Sequence, residues 1–304
     1  MARRSVPGSP AATMYAAVNH GKGDLRVEQV EVGPLGPGHV LVEVSHCGIC
    51  GSDLHFVLDG WGRTGGTGGH EWSGVVVATG PGVTRWRVGD RVVGAPGPGC
   101  GSCPLCTSGR PSLCERRFTP GTGSPERGAF ATYVKADQDH LLGVPEGLGL
   151  RQAALAEPLA VALHAVSTSQ AAPGQRVLVL GAGPIGLLCT AVLVDMGVSE
   201  VVVCEPAEAR RRRALEVGAT EVLAPEDLGR PAMPMDLVEA PFHAALECSG
   251  RAEAQEAALA QLGRAGILVL VGAGMGRPRF EANRILLNEL VVTGSNEYWA
   301  GDFD

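Results

Sequence analysis

The sequence predicts an α/β protein in two parts: a β-rich domain over residues 13–170 and a doubly wound parallel-sheet domain over residues 171–304, behind a flexible tail at residues 1–12. Three observations carry this. Short β-branched runs separated by Gly/Pro turns fill the first half, apolar runs alternate with helical stretches in the second, and a breaker at Ala171–Gly174 stands between them. A chain of 304 residues that is 45% hydrophobic is also long enough for two separate cores.

In the tail, Pro7, Gly8, Ser9 and Pro10 leave nothing periodic to bury. Strands are then predicted at VLVEVSH (40–46), GVVVATG (74–80), RVVGA (91–95) and FATYVK (130–135). Between residues 150 and 169, Ala, Leu and Val recur at helical spacing, with Pro158 tolerable only near a helix start or at a bend. Beyond the breaker come RVLVL (176–180), a helix from Pro184, VVVC (201–204), a helix through Ala214, HAALEC (243–248), GILVLVG (266–272) and LVVTG (290–294). Continuously apolar strands alternating with helices are the pattern of a parallel sheet covered on both faces.

The composition excludes several function classes. A formal net charge of −7, with no basic run except Arg210–Arg213, offers no stripe for a nucleic-acid backbone. No apolar stretch is long enough for a membrane span or a signal-peptide core, so a cytoplasmic protein is expected. Nine cysteines in such a chain, four of them tightly clustered, point to metal rather than to disulfides.

Gly181, Gly183 and Gly186 form GAGPIG, with Pro184 and Ile185 inside it, directly after one apolar strand and directly before a helix. In that context the first glycine makes a tight turn, the second admits a pyrophosphate to the helix N-terminus, and the third permits close helix–strand packing. Glu205 ends the next strand where an acid would accept from the adenosine ribose hydroxyls and repel a ribose phosphate. NAD is therefore expected, with NADP as the alternative because Arg210 and the arginines after it lie about one helical turn further on. The blander reading is an ordinary tight turn and a solvated helix face.

Cys100, Cys103, Cys106 and Cys114 give C-x2-C-x2-C-x7-C in a Gly/Pro/Ser-rich loop. Four thiolates can close a tetrahedral zinc with no open position, which would make the site structural; an iron–sulfur cluster or free thiols are the alternatives. A dispersed set, Cys50, His70, Glu71 and Glu157, supplies the mixed S, N and O donors of a catalytic zinc, which takes three protein ligands and leaves a fourth position for substrate. Cys47, Cys189, Cys204 and Cys248 read as buried thiols.

With these residues in view, the chain resembles the zinc-dependent medium-chain dehydrogenases, the superfamily of alcohol, sorbitol, glucose and threonine dehydrogenases. The resemblance rests on GICGSD (48–53), GHEWSGVVVATGPGV (69–83), GDRV (89–92), the four-cysteine lobe, EPLA (157–160) and GAGPIG, in family order from about Met14 to Trp299. It implies a GroES-like catalytic domain followed by a Rossmann domain, and a hydride transferred between a secondary alcohol, polyol or sugar and NAD(P). It further implies Cys50 and His70 as zinc ligands, with Glu71 and Glu157 competing for the remaining position. The acid at Glu157 resembles the polyol and sugar branch. Ser52 and His55 become a proton relay by the same resemblance, passing the alcohol proton outward by way of the cofactor ribose. Taken without it, Ser52 caps a turn, Asp53 holds a loop, and His55 is a surface histidine.

Phe56, Trp61, Tyr298 and Trp299 either wall a substrate pocket or belong to the core. Family members continue past the strand at 290–294 to complete the catalytic domain, whereas this sequence stops at Asp304. The expectation is that both zinc sites survive and that a homodimer or homotetramer covers the exposed edge. The competing reading is a truncated, non-catalytic zinc- and dinucleotide-binding protein. A zinc-free quinone reductase of the same superfamily is disfavoured by Cys50, His70 and the lobe.

Overall fold

The computed structural model describes residues 12–94, 99–116 and 128–299. The expected tail and the end of the chain at Asp304 lie almost wholly outside them. The chain divides into two compact units between Glu157 and Pro158.

The first unit opens with a two-stranded antiparallel ribbon, β1 (Thr13–Gly21) and β2 (Asp24–Glu31). Next come β3 (His39–Cys47), the single helical turn α1 (Gly51–Leu54) with a π-helical turn behind it (His55–Asp59), β4 (Trp72–Thr79) and β5 (Arg91–Gly94). The short helix α2 (Pro104–Thr107), β6 (Tyr133–Asp137) and β7 (Leu141–Gly143) follow. β3 to β7 form a five-stranded sheet of order β6-β3-β4-β5-β7, every pair antiparallel. Its period-2 alternation turns Val40, Val42, Trp72, Val76, Val92, Val134 and Leu141 into one core, while Leu41 faces Met14 and Val32. The single helix expected over 150–169 is two, α3 (Leu150–Ala153) and α4 (Ala156–Thr168), with Pro158 in the first turn of the second. That position costs no helical hydrogen bond, which is why the chain tolerates proline there.

The second unit is built on a six-stranded parallel sheet. In chain order its elements are β8 (Arg176–Leu180), α5 (Pro184–Asp195), β9 (Glu200–Cys204), α6 (Glu208–Glu216), β10 (Glu221–Leu223) and β11 (Phe242–Glu247), then α7 (Ala252–Gln261), β12 (Leu262–Leu270), α8 (Ala282–Asn288) and β13 (Val291–Gly294). The strand order is β10-β9-β8-β11-β12-β13, so the direction of winding reverses between β8 and β11. Alternate residues of each strand enter different cores. Val177, Val179, Val201, Val203 and Leu246 pack with Val166 of α4, Cys189 and Leu193 of α5 and Ala214 of α6. Leu178, Leu180, Val202 and Leu268 pack with Ala258 and Leu259 of α7. Both faces are covered, and that is the physical reason these strands read as unbroken apolar runs. Each fully buried Val or Leu contributes about 1.5–3 kcal/mol.

Candidate active site with metal and dinucleotide loops

The register of β3 against β4 assembles the mixed-donor cluster. Cys47 is paired with Trp72, and Gly48 N–H donates to the Glu71 carbonyl at 2.7 Å, so the segment leaving β3 runs beside the segment entering β4. Cys50 on the first and His70 and Glu71 on the second consequently meet, with one ligand atom from each lying within 4.8 Å of the others. Gly48 makes room for this: a Cβ there would stand 2.1 Å from Glu71 Oε2.

Cys50 occupies the N-cap position of α1. The Asp53 carboxylate accepts from Cys50 N–H at 3.0 Å with one oxygen and from Gly69 N–H at 3.2 Å with the other. The oxygen bonded to Gly69 is also 3.9 Å from His70 Nδ1. Asp53 thus ties both ligand-bearing segments together from a buried position. Ser52 is the second residue of α1, its hydroxyl beside the Cys50 thiol.

Burial pushes the pKa of the Cys50 thiol and of the Glu71 carboxyl above their ordinary values, partly opposed by Ser52 at the thiol and by His70 at the carboxyl. Cys47, more strongly affected by burial and by the Asp53 and Glu71 charges, is pushed up to about 12 and is no thiolate at neutral pH. A donor set of one thiol, one imidazole and one carboxyl, desolvated together, fits a divalent cation, which would supply the charge that burial withholds. Zinc bonds of about 2.0–2.3 Å place tetrahedral ligand atoms roughly 3.3–3.8 Å apart, so separations of no more than 4.8 Å need to close by at most about 1–1.5 Å. Glu157 is buried at the start of α4 and lies outside the three-residue cluster.

The four cysteines of the lobe also converge, their sulfurs within 4.8 Å of one another. Cys103 precedes α2, whose first residue is Pro104, and Cys106 follows one turn later. Main-chain N–H groups aim at the sulfurs, Cys100 N at Cys114 Sγ (3.1 Å), Cys103 N at Cys100 Sγ (3.3 Å) and Arg116 N at Cys114 Sγ (3.3 Å). The Ser102 hydroxyl, then the N–H groups of Ser102 and Cys103, pull Cys100 down to about 6. Donors aimed at Cys100 and Cys114 favour the thiolate that a closed zinc site requires, whereas burial pushes Cys106 up to about 12, a proton that a bound cation would have to displace.

In the second unit, Gly181 follows β8 at a φ of +93°, and Gly183 precedes α5 with Pro184 at its first position. A Cβ on Gly186 would lie 1.8 Å from the Gly181 carbonyl oxygen, whereas one on Gly183 would meet nothing within 4 Å. The loop is therefore closed on its protein side and open where a pyrophosphate would approach the helix N-terminus. Glu205 is buried at the end of β9, accepting from Ala182 N–H and Ala207 N–H, each at 2.9 Å. Arg210 is exposed on α6, while Arg211 donates to the carbonyls of Glu205 (2.7 Å) and Pro206 (2.8 Å).

Two family models match: the alcohol dehydrogenase GroES-like domain over residues 36–146 and the zinc-binding dehydrogenase domain over residues 184–304. Sorbitol dehydrogenase from Bombyx mori is 33% identical over 92% of this chain and 83% of its own length. The chain belongs to the zinc-dependent medium-chain dehydrogenases, in their sorbitol dehydrogenase-like branch. A sorbitol dehydrogenase from Bacillus subtilis strain 168 is 34% identical over 85% of this chain and 75% of its own. A zinc-binding dehydrogenase from Sinorhizobium meliloti 1021, solved bound to NADP, superposes with a TM-score of 0.86 at 32% identity, covering 96% of this chain and 87% of the other. As a member of this family the chain is an oxidoreductase with zinc and NAD(P) as its cofactors. No helix among the described residues of this dehydrogenase is long and apolar enough to cross a membrane.

In the first unit, His55 lies on the π-helical turn after α1, its Nδ1 2.6 Å from Asp59 Oδ2 and its ring stacked on Trp61 at 4.6 Å between centroids. Trp61 is half exposed and Phe56 half-buried, so neither is a core residue. In the second unit Tyr298 is buried, and Trp299 lies 4.8 Å from the His164 ring. Asp59 had no signal in the sequence. Asp53 had one, an acid three residues after Cys50 in the spacing of a capping box, which was open only to a loop-holding interpretation.

Proposed function

We propose that this dehydrogenase oxidises a polyol, or a sugar or secondary alcohol like it, with NAD as hydride acceptor, and that Cys50, His70 and Glu71 hold the catalytic zinc, Glu157 being the alternative acid. The observation that carries this is the convergence of the three donors within 4.8 Å, in a chain whose relatives include sorbitol dehydrogenases. The lobe cysteines Cys100, Cys103, Cys106 and Cys114 would hold a structural zinc.

When bound, the catalytic zinc supplies a Lewis acid that makes the substrate hydroxyl easier to deprotonate, and the nicotinamide supplies the hydride acceptor. The protein's part is to position and to move the proton. Ser52 takes the hydroxyl proton, and His55, its Nδ1 held by Asp59, carries it to solvent. Gly181, Gly183, Pro184, Ile185 and Gly186 present the N-terminus of α5 to the pyrophosphate, with Arg210 at the adenosine end. The Glu205 carboxylate disfavours a ribose phosphate and so selects NAD.

A homodimer is part of the same reading. Among the described residues β13 forms one edge of the parallel sheet, with Val291 exposed on it and Leu286 and Leu287 exposed on α8 just before it, a combination that asks for a covering partner. Nine cysteines outside any disulfide agree with a reducing, cytoplasmic location. The test is a panel of polyols, sugars and simple alcohols offered with NAD and with NADP. NADH formation on a polyol supports the proposal, and binding of zinc and NAD without turnover on any member of the panel overturns it in favour of a non-catalytic binding protein.

A further inference from the structure

Glu247 has the least exposed charged side chain among the described residues, at 0%. It ends β11 and is in register with Leu180 of β8 on one side and Leu270 of β12 on the other. β8 and β11 are the strands between which the winding reverses, and doubly wound sheets bind their ligands beyond the carboxyl ends of strands at such a point. Gly181 directly follows Leu180, so this acid stands beside the dinucleotide loop, and the mechanism above makes no use of it.

Every hydrogen-bond partner of its carboxylate is a donor. Oε1 accepts from Ser249 N–H at 2.8 Å and from the Ser249 hydroxyl, Gly250 N–H reaches the two oxygens at 3.2 and 3.1 Å, and Gln255 Nε2 lies 3.4 Å from Oε2. Burial raises the carboxyl's pKa, and these donors oppose the rise. An acceptor-only carboxylate suits such a ring, whereas an amide would set an NH2 against N–H groups.

That turn is packed against the glycine loop. A Cβ on Gly181 would lie 3.1 Å from Ser249 Cβ, and Cys248 N–H donates to the Leu180 carbonyl at 2.9 Å. On the other side, Gly250 holds a φ of +71° with its Cβ position 2.0 Å from the Ala273 carbonyl oxygen, and the Glu247 carbonyl accepts from Val271 and Gly272 N–H at 2.9 and 2.8 Å. The ends of β8, β11 and β12 are tied together through the main chain of this turn, whose own fold the Glu247 carboxylate holds.

We infer that Glu247 is a positioning residue for the dinucleotide: its carboxylate folds the Cys248–Arg251 turn into the wall beside the glycine loop, and NAD(H) affinity depends on it through that turn. This rests on the reading that the glycine loop binds a dinucleotide.

The experiment is an NADH fluorescence titration of the zinc-loaded full chain and of its Glu247→Gln and Ser249→Ala variants, with thermal midpoints measured without dinucleotide. Glu247→Gln is expected to raise the NADH Kd by about tenfold or more, and Ser249→Ala, which loses one donor to Glu247 and one acceptor for Arg251 N–H from an exposed side chain, by about threefold with little change in midpoint. A lowered midpoint with Kd unchanged in both variants overturns the inference and leaves Glu247 a purely structural acid. Should Glu247→Gln fail to fold, Ser249→Ala decides alone, an unchanged Kd overturning and a raised Kd supporting. If the parent itself binds no NADH, the reading of the glycine loop falls and this inference with it; if the parent binds and the variants match it, only this inference falls.

Discussion

Asp53 holds Cys50 and Gly69 through one carboxylate, and so joins the two segments that carry Cys50, His70 and Glu71. Asparagine keeps the shape but offers one acceptor oxygen for two N–H donors. Asp53→Asn is expected to lower bound zinc from about two per chain to about one after dialysis, with the lobe still filled. Metal analysis checks this, and two retained zincs would contradict it. The raised pKa values of Cys50 and Glu71 fix a pH dependence as well. Both must lose their protons to bind zinc and both hold them more tightly than in water, so protons compete with the metal as pH falls. Affinity at the catalytic site, read by chelator competition, should rise with pH by about tenfold per unit for each proton released, until the groups are deprotonated. At the other site, Glu205→Ser removes the carboxylate that accepts from Ala182 and Ala207 N–H. The ratio of kcat/KM for NADP to that for NAD should rise by about tenfold or more, mostly because NAD is used less well.

Arg284 shows how an element is fastened. Its buried guanidinium on α8 donates to carbonyls at the end of α7 and just beyond, Leu259 (3.2 Å), Ala260 (2.8 Å) and Leu262 (3.1 Å), and to Asp236 (2.7 Å) in the loop before β11. Burial lowers its pKa, and no carboxylate is among these hydrogen-bond acceptors, so the helix-end carbonyls take that place. Arg284→Met should cost about 3 kcal/mol, seen as a fall of roughly 5–10 °C in thermal midpoint, without loss of zinc. The elements legible in the sequence were those whose surroundings are simple. β8, β9, β11 and β12 are apolar on both faces and could be read as strands directly. β1 and β2 could not: β1 alternates in burial from Thr13 to Val18, but the ribbon leaves the apolar Tyr15, Leu25 and Val27 in solvent, so the alternation does not show in hydropathy. The break between α3 and α4 had its signal in Pro158, which has no N–H for the Ala154 carbonyl four residues back and so belongs in a first turn; the helix-forming Ala154 and Leu155 hid where that turn begins. Motif spacing pointed to Cys50, His70, Glu71 and Glu157, of which the fold brings the first three together, and to the lobe and the glycine loop. Asp59 and Glu247 were beyond its reach, because what they do depends on partners that only the folded chain supplies.

At the scale of the molecule, one unit brings together the metal donors and the other the dinucleotide loop, and the chemistry of the family needs both. If the β13 edge and the exposed Leu286 and Leu287 join two copies, light scattering should give twice the chain mass, and Leu286→Glu with Leu287→Glu should return it to the monomer. The central claim is that zinc at the mixed-donor cluster makes the chain a dehydrogenase. Its most direct test is the rate of NADH formation with a polyol as chelated protein is reloaded stepwise with zinc. The predicted result is activity that is absent from the metal-free chain, appears as the catalytic site fills, and is not restored in Cys50→Ser with its lobe loaded. Equal activity in metal-free and zinc-loaded protein, or no NADH at any loading, would contradict it.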